Sequence, residues 1–186
     1  MAAKPLPSPE VLRQLMSYDP ETGKLFWKHR GPEWFEDKRF TAAGAAAVWN
    51  AKYAGKEAFT PINSKGYHTG SVLGKMLLAH RVGWTIHHGR WPTVFLDHAD
   101  SDRTNNAIAN LREANRSENG CNRSVASNSQ SGIKGVRWHS SSKRWQARIA
   151  VNKTNIHLGY FRSAEAAADA YAEAATRLHG QFARHQ

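Results

Sequence analysis

The chain has 186 residues, enough for one ordinary domain or two small ones. Hydrophobic residues make up 40% and charged residues 22%, a globular balance that excludes a disordered chain, and no run approaches the roughly 18 apolar residues of a membrane span. The net charge of +11 suits a polyanionic partner, and the single cysteine, Cys121, excludes an internal disulfide or a zinc site built from several thiolates.

The first 62 residues are expected to form a supporting region. Ser8-Pro9-Glu10 is typical of a helix start, with an N-cap, a proline at the first helical position and an acid in the first turn. Residues 19–23 predict a turn, and residues 24–27 a strand. Residues 30–60 give no clear pattern, and no chemistry is assigned to them.

Residues 63–123 form the second predicted region. Residues 67–78, interrupted by Gly70 and Gly74, predict a hairpin. Residues 79–88 predict a short helix that Gly89 ends. A short strand at residues 94–96 then leads directly into Asp97 and His98.

The segment 96–112, LDHADSDRTNNAIANLR, resembles the core of HNH nucleases, in particular the phage and mobile-intron branch. The resemblance continues through residues 116–119 and back to residues 80–84. It implies a ββα-metal (His-Me finger) nuclease core whose functional positions are filled by Asp97, His98, Asn110 and Asn119. The last of these is Asn rather than His, so the chain is of the H-N-N type.

The residue types fit hydrolysis of a phosphodiester. A neutral imidazole, His98, can accept a proton from water near neutral pH. The resemblance implies that Asp97 and Asn119 hold a divalent cation through oxygen atoms, with Mg²⁺ favoured and Mn²⁺ as the alternative. It assigns Asn110 to bracing the loop and orienting His98. Asp100 and Asp102 are interpreted as turn residues.

A Ser/Asn-rich linker is predicted at residues 124–130, followed by a β-β-β-α domain at residues 131–186. Strands are expected near residues 134–139, 144–151 and 155–161, and a helix from the N-cap Ser163 to Gly180. In the second strand, Trp145, Ala147 and Ile149 alternate with polar residues, so apolar and polar side chains occupy opposite faces.

No acidic residue lies between Glu118 and Glu165, whereas this stretch carries eight basic ones: Arg123, Lys134, Arg137, Lys143, Arg144, Arg148, Lys153 and Arg162. Such a segment suits DNA phosphates, because each phosphate neutralised releases counterions. A merely solvated basic surface is the alternative. An anionic membrane surface fits less well, because the segment alternates like a sheet.

The third region resembles the Apetala-type DNA-binding domain of plant ethylene-response factors, through residues 132–138, 143–149 and 158–161 and the alanine-rich helix to Tyr171. That resemblance implies a sheet lying in the major groove of DNA. The positions that match groove-facing ones are Lys134, Arg137, Arg148 and His157. Strand alternation adds His139, Arg144 and Asn155. His157 and Arg148 depart from the family's tryptophan and acid, so no base preference is transferred.

We therefore expect an α+β chain, a ββα-metal nuclease core with a three-stranded antiparallel sheet packed on one helix. The predicted function is cytoplasmic, metal-dependent cleavage of double-stranded DNA by a monomer or homodimer, in a phage or homing-type setting. The alternatives are a DNA-binding regulator with an inactive nuclease centre and an RNA-directed nuclease. Comparing cleavage of supercoiled plasmid with cleavage of folded RNA distinguishes the predicted function from these alternatives.

Overall fold

A computed structural model describes residues 5–115, 118, 125, 129, 131–151 and 154–183 of the chain. Its helices are α1 Pro9–Leu15, α2 Ala42–Tyr53, α3 Ala79–His88 and α4 Ala164–His179. Its strands are β1 Met16–Tyr18, β2 Leu25–Trp27, β3 Glu57–Ala58, β4 Thr69–Val72, β5 Lys75–Leu78, β6 Phe95–His98, β7 Leu111–Ala114, β8 Val136–His139, β9 Arg144–Val151 and β10 Thr154–Phe161. The mixture of helix and sheet confirms the α+β class.

Local signals in the sequence account for several of these elements. Helix α1 begins after Ser8, whose hydroxyl accepts a hydrogen bond from the Val11 amide at 3.3 Å. Gly89 adopts a left-handed conformation with φ of 70° and ends α3. The hairpin predicted over residues 67–78 is the antiparallel pair β4–β5. These three predictions are confirmed.

Helix α2 lies in the stretch 30–60, for which the sequence analysis proposed no structure. Its N-cap is Thr41, whose hydroxyl accepts a hydrogen bond from the Gly44 amide at 3.1 Å. Arg30 is buried, and its guanidinium stacks on the rings of Trp27 and Trp49 at 4.7 and 3.9 Å from their centroids. This region therefore has a packed interior of its own.

The chain divides into two compact units, residues 1–113 and 114–186. In the first, strands β1, β2 and β3 form an antiparallel sheet in that order. One hydrophobic core joins this sheet and α1 to the β4–β5 hairpin and α3: Leu12, Leu15, Met16, Leu25, Ala58, Phe59, Val72, Leu77, Ala79 and Val82. The predicted supporting region thus shares its interior with the region carrying the HNH-like segment.

In the second unit, strands β8, β9 and β10 form an antiparallel sheet with β9 in the centre. Helix α4 packs on its apolar face through Ala167, Tyr171, Ala174 and Ala175. The helix begins after Ser163 and ends at Gly180, as the sequence predicts. Small alanine side chains let the helix approach Ala147 and Ile149 closely.

Candidate nuclease centre and basic sheet

Asp97 and His98 are the last two residues of strand β6, which pairs with β7. Both side chains are buried, with 6% and 4% of their surface exposed. The hairpin is anchored by an apolar cluster in which Leu96 and Leu111 pack on Trp84 of α3. The strand therefore ends in two consecutive buried residues, one with a carboxylate and one with an imidazole.

The imidazole of His98 is hydrogen-bonded to a residue that the sequence analysis did not single out. Its Nε2 lies 3.1 Å from Oδ1 of Asn106, a residue that is also buried. An amide oxygen only accepts, so Nε2 carries the proton of the neutral ring. The remaining nitrogen, Nδ1, is then the basic one.

Asn106 is itself held by the turn after β1. The hydroxyl of Tyr18 donates to the Asn106 carbonyl oxygen at 2.7 Å, and the Ile108 amide donates to the Pro20 carbonyl at 2.9 Å. Gly23, with φ of 73°, lies so close that an added Cβ would be 2.2 Å from the Asn106 carbonyl carbon. This contact requires glycine for both conformation and space.

Asn110 lies at the end of the loop between the two strands and is hydrogen-bonded within that loop. Its side-chain amide donates to Oδ1 of Asp100 at 2.9 Å and to the Asn105 carbonyl at 2.8 Å, while its Oδ1 accepts from the Asp100 amide at 3.0 Å. Asp102 accepts hydrogen bonds from the amide and hydroxyl of Thr104. Asp100 and Asp102 thus stabilise the turn, as predicted.

The Asp97 carboxylate is paired with an arginine from the neighbouring strand. Nε and Nη2 of Arg112 donate to Oδ2 of Asp97 at 3.0 and 2.8 Å. Both side chains are mostly buried, and both of these contacts fall on one carboxylate oxygen. The pairing places an opposite charge beside this mostly buried carboxylate.

His80 lies in the first turn of α3 and packs against His98. The two rings meet edge to face with centroids 5.1 Å apart, and Tyr67 lies 5.1 Å from the His80 ring. Burial, followed by the neighbouring His98 and Arg81, lowers the pKa of His80 to about 3. His80 is therefore uncharged at neutral pH, and its Nδ1 has no hydrogen-bond partner in the described part of the chain.

The predicted ligand Asn119 lies outside the described residues. Just before it, the Glu118 amide donates to Oδ1 of Asn115 at 3.0 Å, and the Asn115 amide donates to the Glu118 carboxylate at 2.7 Å. This reciprocal pair has the hydrogen-bond pattern of a capping box, and the backbone of Glu118 is helical. Among the described residues there is no cluster of three or more His, Cys, Asp or Glu side chains able to hold a metal.

The second group of predicted residues lies on the exposed face of the C-terminal sheet. The registers pair Arg137 with Gln146, His139 with Arg144, and His157 with Arg148 across neighbouring strands. Six of the seven predicted DNA-contacting residues belong to this face: Arg137, His139, Arg144, Arg148, Asn155 and His157. The seventh, Lys134, lies in the turn before β8, and its charge contributes, after burial, to lowering the pKa of His179.

Two further residues complete this face. Gln146 of β9 hydrogen-bonds both Arg137 and His157, and Tyr160, 42% exposed, lies between the rings of His139 and His157. Alternation in β9 marks Gln146 as exposed from the sequence alone. The pairing register of β10 shifts between His157 and Gly159, and this shift places Tyr160 on the same face. Alternation alone does not predict this position.

Comparisons with known proteins agree with the nuclease centre. The family described as HNH endonuclease matches residues 77–121. An uncharacterized HNH endonuclease of Acanthamoeba polyphaga mimivirus is 32% identical over 123 residues, which are 66% of this chain and 63% of that protein. This chain thus spans less than two thirds of that relative. Protein 3.8 of Escherichia phage T7 is 30% identical over 102 residues, 54% of this chain and 84% of that protein.

No solved structure matches the chain. In the part of the chain that the structure describes, every helix is too short or too polar to cross a membrane.

Proposed function

We propose that this chain, whose residues 77–121 match the HNH endonuclease family, is a metal-dependent endonuclease. It would hydrolyse phosphodiester bonds of double-stranded DNA at a site selected by its C-terminal sheet. The observation that carries the proposal is the buried Asp97–His98 pair at the end of β6, with the imidazole oriented by Asn106. The two relatives come from a mimivirus and a phage, which supports a viral setting for the proposed homing-type enzyme.

His98 is proposed as the general base. Because Asn106 accepts the proton carried by Nε2, the ring presents Nδ1 as the nitrogen that removes a proton from the attacking water. Burial of the ring and its packing on His80 restrict its rotation. A base that is already held in one orientation loses less conformational entropy when the reaction begins.

The donor atoms proposed for a cation are the Asp97 carboxylate and the Asn119 amide oxygen. These hard oxygen donors fit Mg²⁺, which takes few protein ligands and keeps water and phosphate oxygens in its shell. When bound, the cation would polarise the phosphate and stabilise the charge of the leaving oxygen.

Arg112 supports this arrangement by orienting Asp97. Its two hydrogen bonds to Oδ2 fix the plane of the carboxylate and neutralise it before a cation arrives. Neutralisation matters because an unpaired buried carboxylate would be costly. The capping box of Asn115 and Glu118 favours a helix after β7, which supports the proposed ββα order.

The DNA partner is proposed from the C-terminal sheet, whose resemblance to the Apetala-type domain gives it a major-groove role. Its exposed face carries three arginines, Arg137, Arg144 and Arg148, and no carboxylate lies on its strands. Helix α4 covers the opposite face, so the basic side is the one left to DNA. Arginine on such a face both holds phosphates and reads guanine edges.

The test is conversion of supercoiled plasmid by purified protein with Mg²⁺, with EDTA, and as the His98→Ala variant. Nicking or linearisation that needs Mg²⁺ and disappears in His98→Ala, while gel-shift binding persists, would establish the catalyst. His29→Ala, a substitution of an exposed histidine on the first unit, is the matched control and should cleave normally.

Binding without cleavage across Mg²⁺, Mn²⁺ and several DNA substrates would instead indicate the alternative, a sequence-specific regulator with an inactive nuclease centre. Preferential cleavage of folded RNA would contradict the DNA assignment.

A further inference from the structure

Gln146 lies at the centre of the exposed face of the C-terminal sheet and joins two of its reading residues. Nε of Arg137 on β8 lies 2.6 Å from Oε1 of Gln146, and Nε2 of Gln146 lies 3.1 Å from Nδ1 of His157 on β10. One side chain on the central strand therefore links all three strands across the face.

The chemistry of these groups permits only one arrangement of protons. A guanidinium has donors and no acceptor, so the atom of Gln146 facing Arg137 must be the carbonyl oxygen. The amide nitrogen then faces His157 and donates, so Nδ1 of His157 must accept. The neutral His157 ring consequently carries its proton on Nε2, the nitrogen directed away from Gln146.

The same bridge orients the Arg137 guanidinium. Within the described part of the chain, only its Nε is hydrogen-bonded to another residue. Nη1 and Nη2 thus form an open fork, the geometry that matches the O6 and N7 acceptors of guanine. The side chain is exposed, so this fork is accessible to a duplex lying on the sheet.

We propose that Gln146 is a specificity-determining positioning residue, which fixes Arg137 to read guanine and fixes His157 as a hydrogen-bond donor to an acceptor on a nearby base. Gln146 acts on both through its side-chain amide and contacts neither base. This inference rests on the proposed role of the sheet in DNA binding and adds to it the type of base edge recognised at two positions.

Two substitutions at Gln146 separate the two links. Leucine is similar in size to glutamine but makes no hydrogen bonds, so Gln146→Leu removes both links. The preference for the wild-type base should then fall at both DNA positions, each on the order of 10-fold. Gln146→Glu keeps an acceptor for Arg137 but cannot donate to His157. In the neutral ring of His157, Nδ1 then carries the proton and Nε2 becomes an acceptor. The guanine preference should persist while preference at the other position alone changes.

The experiment is selection of bound duplexes from random DNA by the full chain, in EDTA and with His98→Ala so that DNA stays intact. Arg137→Ala and His157→Ala locate the two base positions in the selected sequence. Gln14→Glu adds the same charge at an exposed glutamine of α1 and is the control, which should select the wild-type sequence. Circular dichroism checks that each variant is folded.

In Gln146→Leu, we expect base preference to be lost at both of the DNA positions located in this way. In Gln146→Glu, we expect base preference to change only at the position located with His157→Ala. Wild-type preferences in Gln146→Leu, or uniform weakening at every position, would overturn the role of Gln146 while leaving the sheet's function intact. Absence of any selected sequence with the wild-type residues in place would overturn the proposed function of the sheet itself, and the inference with it.

Discussion

Replacing Asn106 with leucine is expected to slow DNA cleavage while leaving DNA binding unchanged. Asn106 is buried, and its Oδ1 accepts the hydrogen bond from Nε2 of His98 at 3.1 Å. Leucine has a similar volume but no acceptor. The Nε2–H group of His98 would lose its hydrogen-bond partner in a buried site. The tautomer with the proton on Nε2, in which Nδ1 is the basic nitrogen, would then no longer be favoured.

The structure sets the size of this effect. A buried donor left without a partner costs about 1–3 kcal/mol. If that cost falls on the catalytically competent orientation of His98, the rate of cleavage drops on the order of 10- to 100-fold, since each 1.36 kcal/mol changes a rate about tenfold. Removing the base itself with His98→Ala should cost about 10²- to 10⁴-fold. Asn106→Leu should therefore lie between wild type and His98→Ala.

The assay is single-turnover nicking of supercoiled plasmid in Mg²⁺, with urea denaturation to measure stability. Asn106→Asp is the matched variant, because a carboxylate oxygen still accepts from Nε2 of His98, and it should remain closer to wild type than the leucine variant. Cleavage at the wild-type rate by folded Asn106→Leu, or equal losses in both variants, would refute the reasoning.

Three further predictions concern the supports of this loop and of the unit that carries it. Tyr18→Phe removes the 2.7 Å hydrogen bond to the Asn106 carbonyl and should lower the free energy of unfolding by about 1 kcal/mol, measured in urea; no change would contradict this contact. Gly83→Ala places a methyl group 2.5 Å from the Tyr18 ring and should cost about 1–3 kcal/mol in the same assay, unless the ring shifts freely. Hydrogen bonds from Arg90 hold the pKa of Glu113 at about 2, below its ordinary value of 4.5, so their stabilisation is complete above pH 4.5 and is lost as pH falls toward 2. The difference in Tm between wild type and Glu113→Gln, followed by circular dichroism, should shrink over that range; a constant difference would argue against the pair.

Elements with local signals could be predicted from the sequence. Caps marked the ends of α1, α3 and α4, and strict alternation marked β9, because these features depend on neighbouring residues only. Helix α2 was not predicted, since its run of alanines gives no apolar face. Thr41 was an available signal, as its hydroxyl caps the helix.

Contacts distant in sequence could not be predicted in the same way. In the sequence Asn106 is one of several asparagines in a turn-rich loop, and only folding brings it to His98 and Tyr18. Tyr160 was missed for a different reason. The irregularity after His157 adds one residue to β10 and reverses the alternation, so a residue expected on the apolar face reaches the exposed one.

The candidate nuclease centre is packed against residues that precede the HNH-like segment. The family match begins at residue 77, yet Ala79 and Val82 of α3 are buried in a core with Leu12 and Leu25. The turn at residues 18–23 also holds the loop through the Asn106 backbone. A fragment limited to residues 77–121 would keep only Leu77, Ala79 and Val82 of this core and would leave the partner of His98 without the contacts from residues 18–23. The first 62 residues are thus part of the structure that positions Asn106 beside His98, although they carry none of the residues proposed to act on the phosphate.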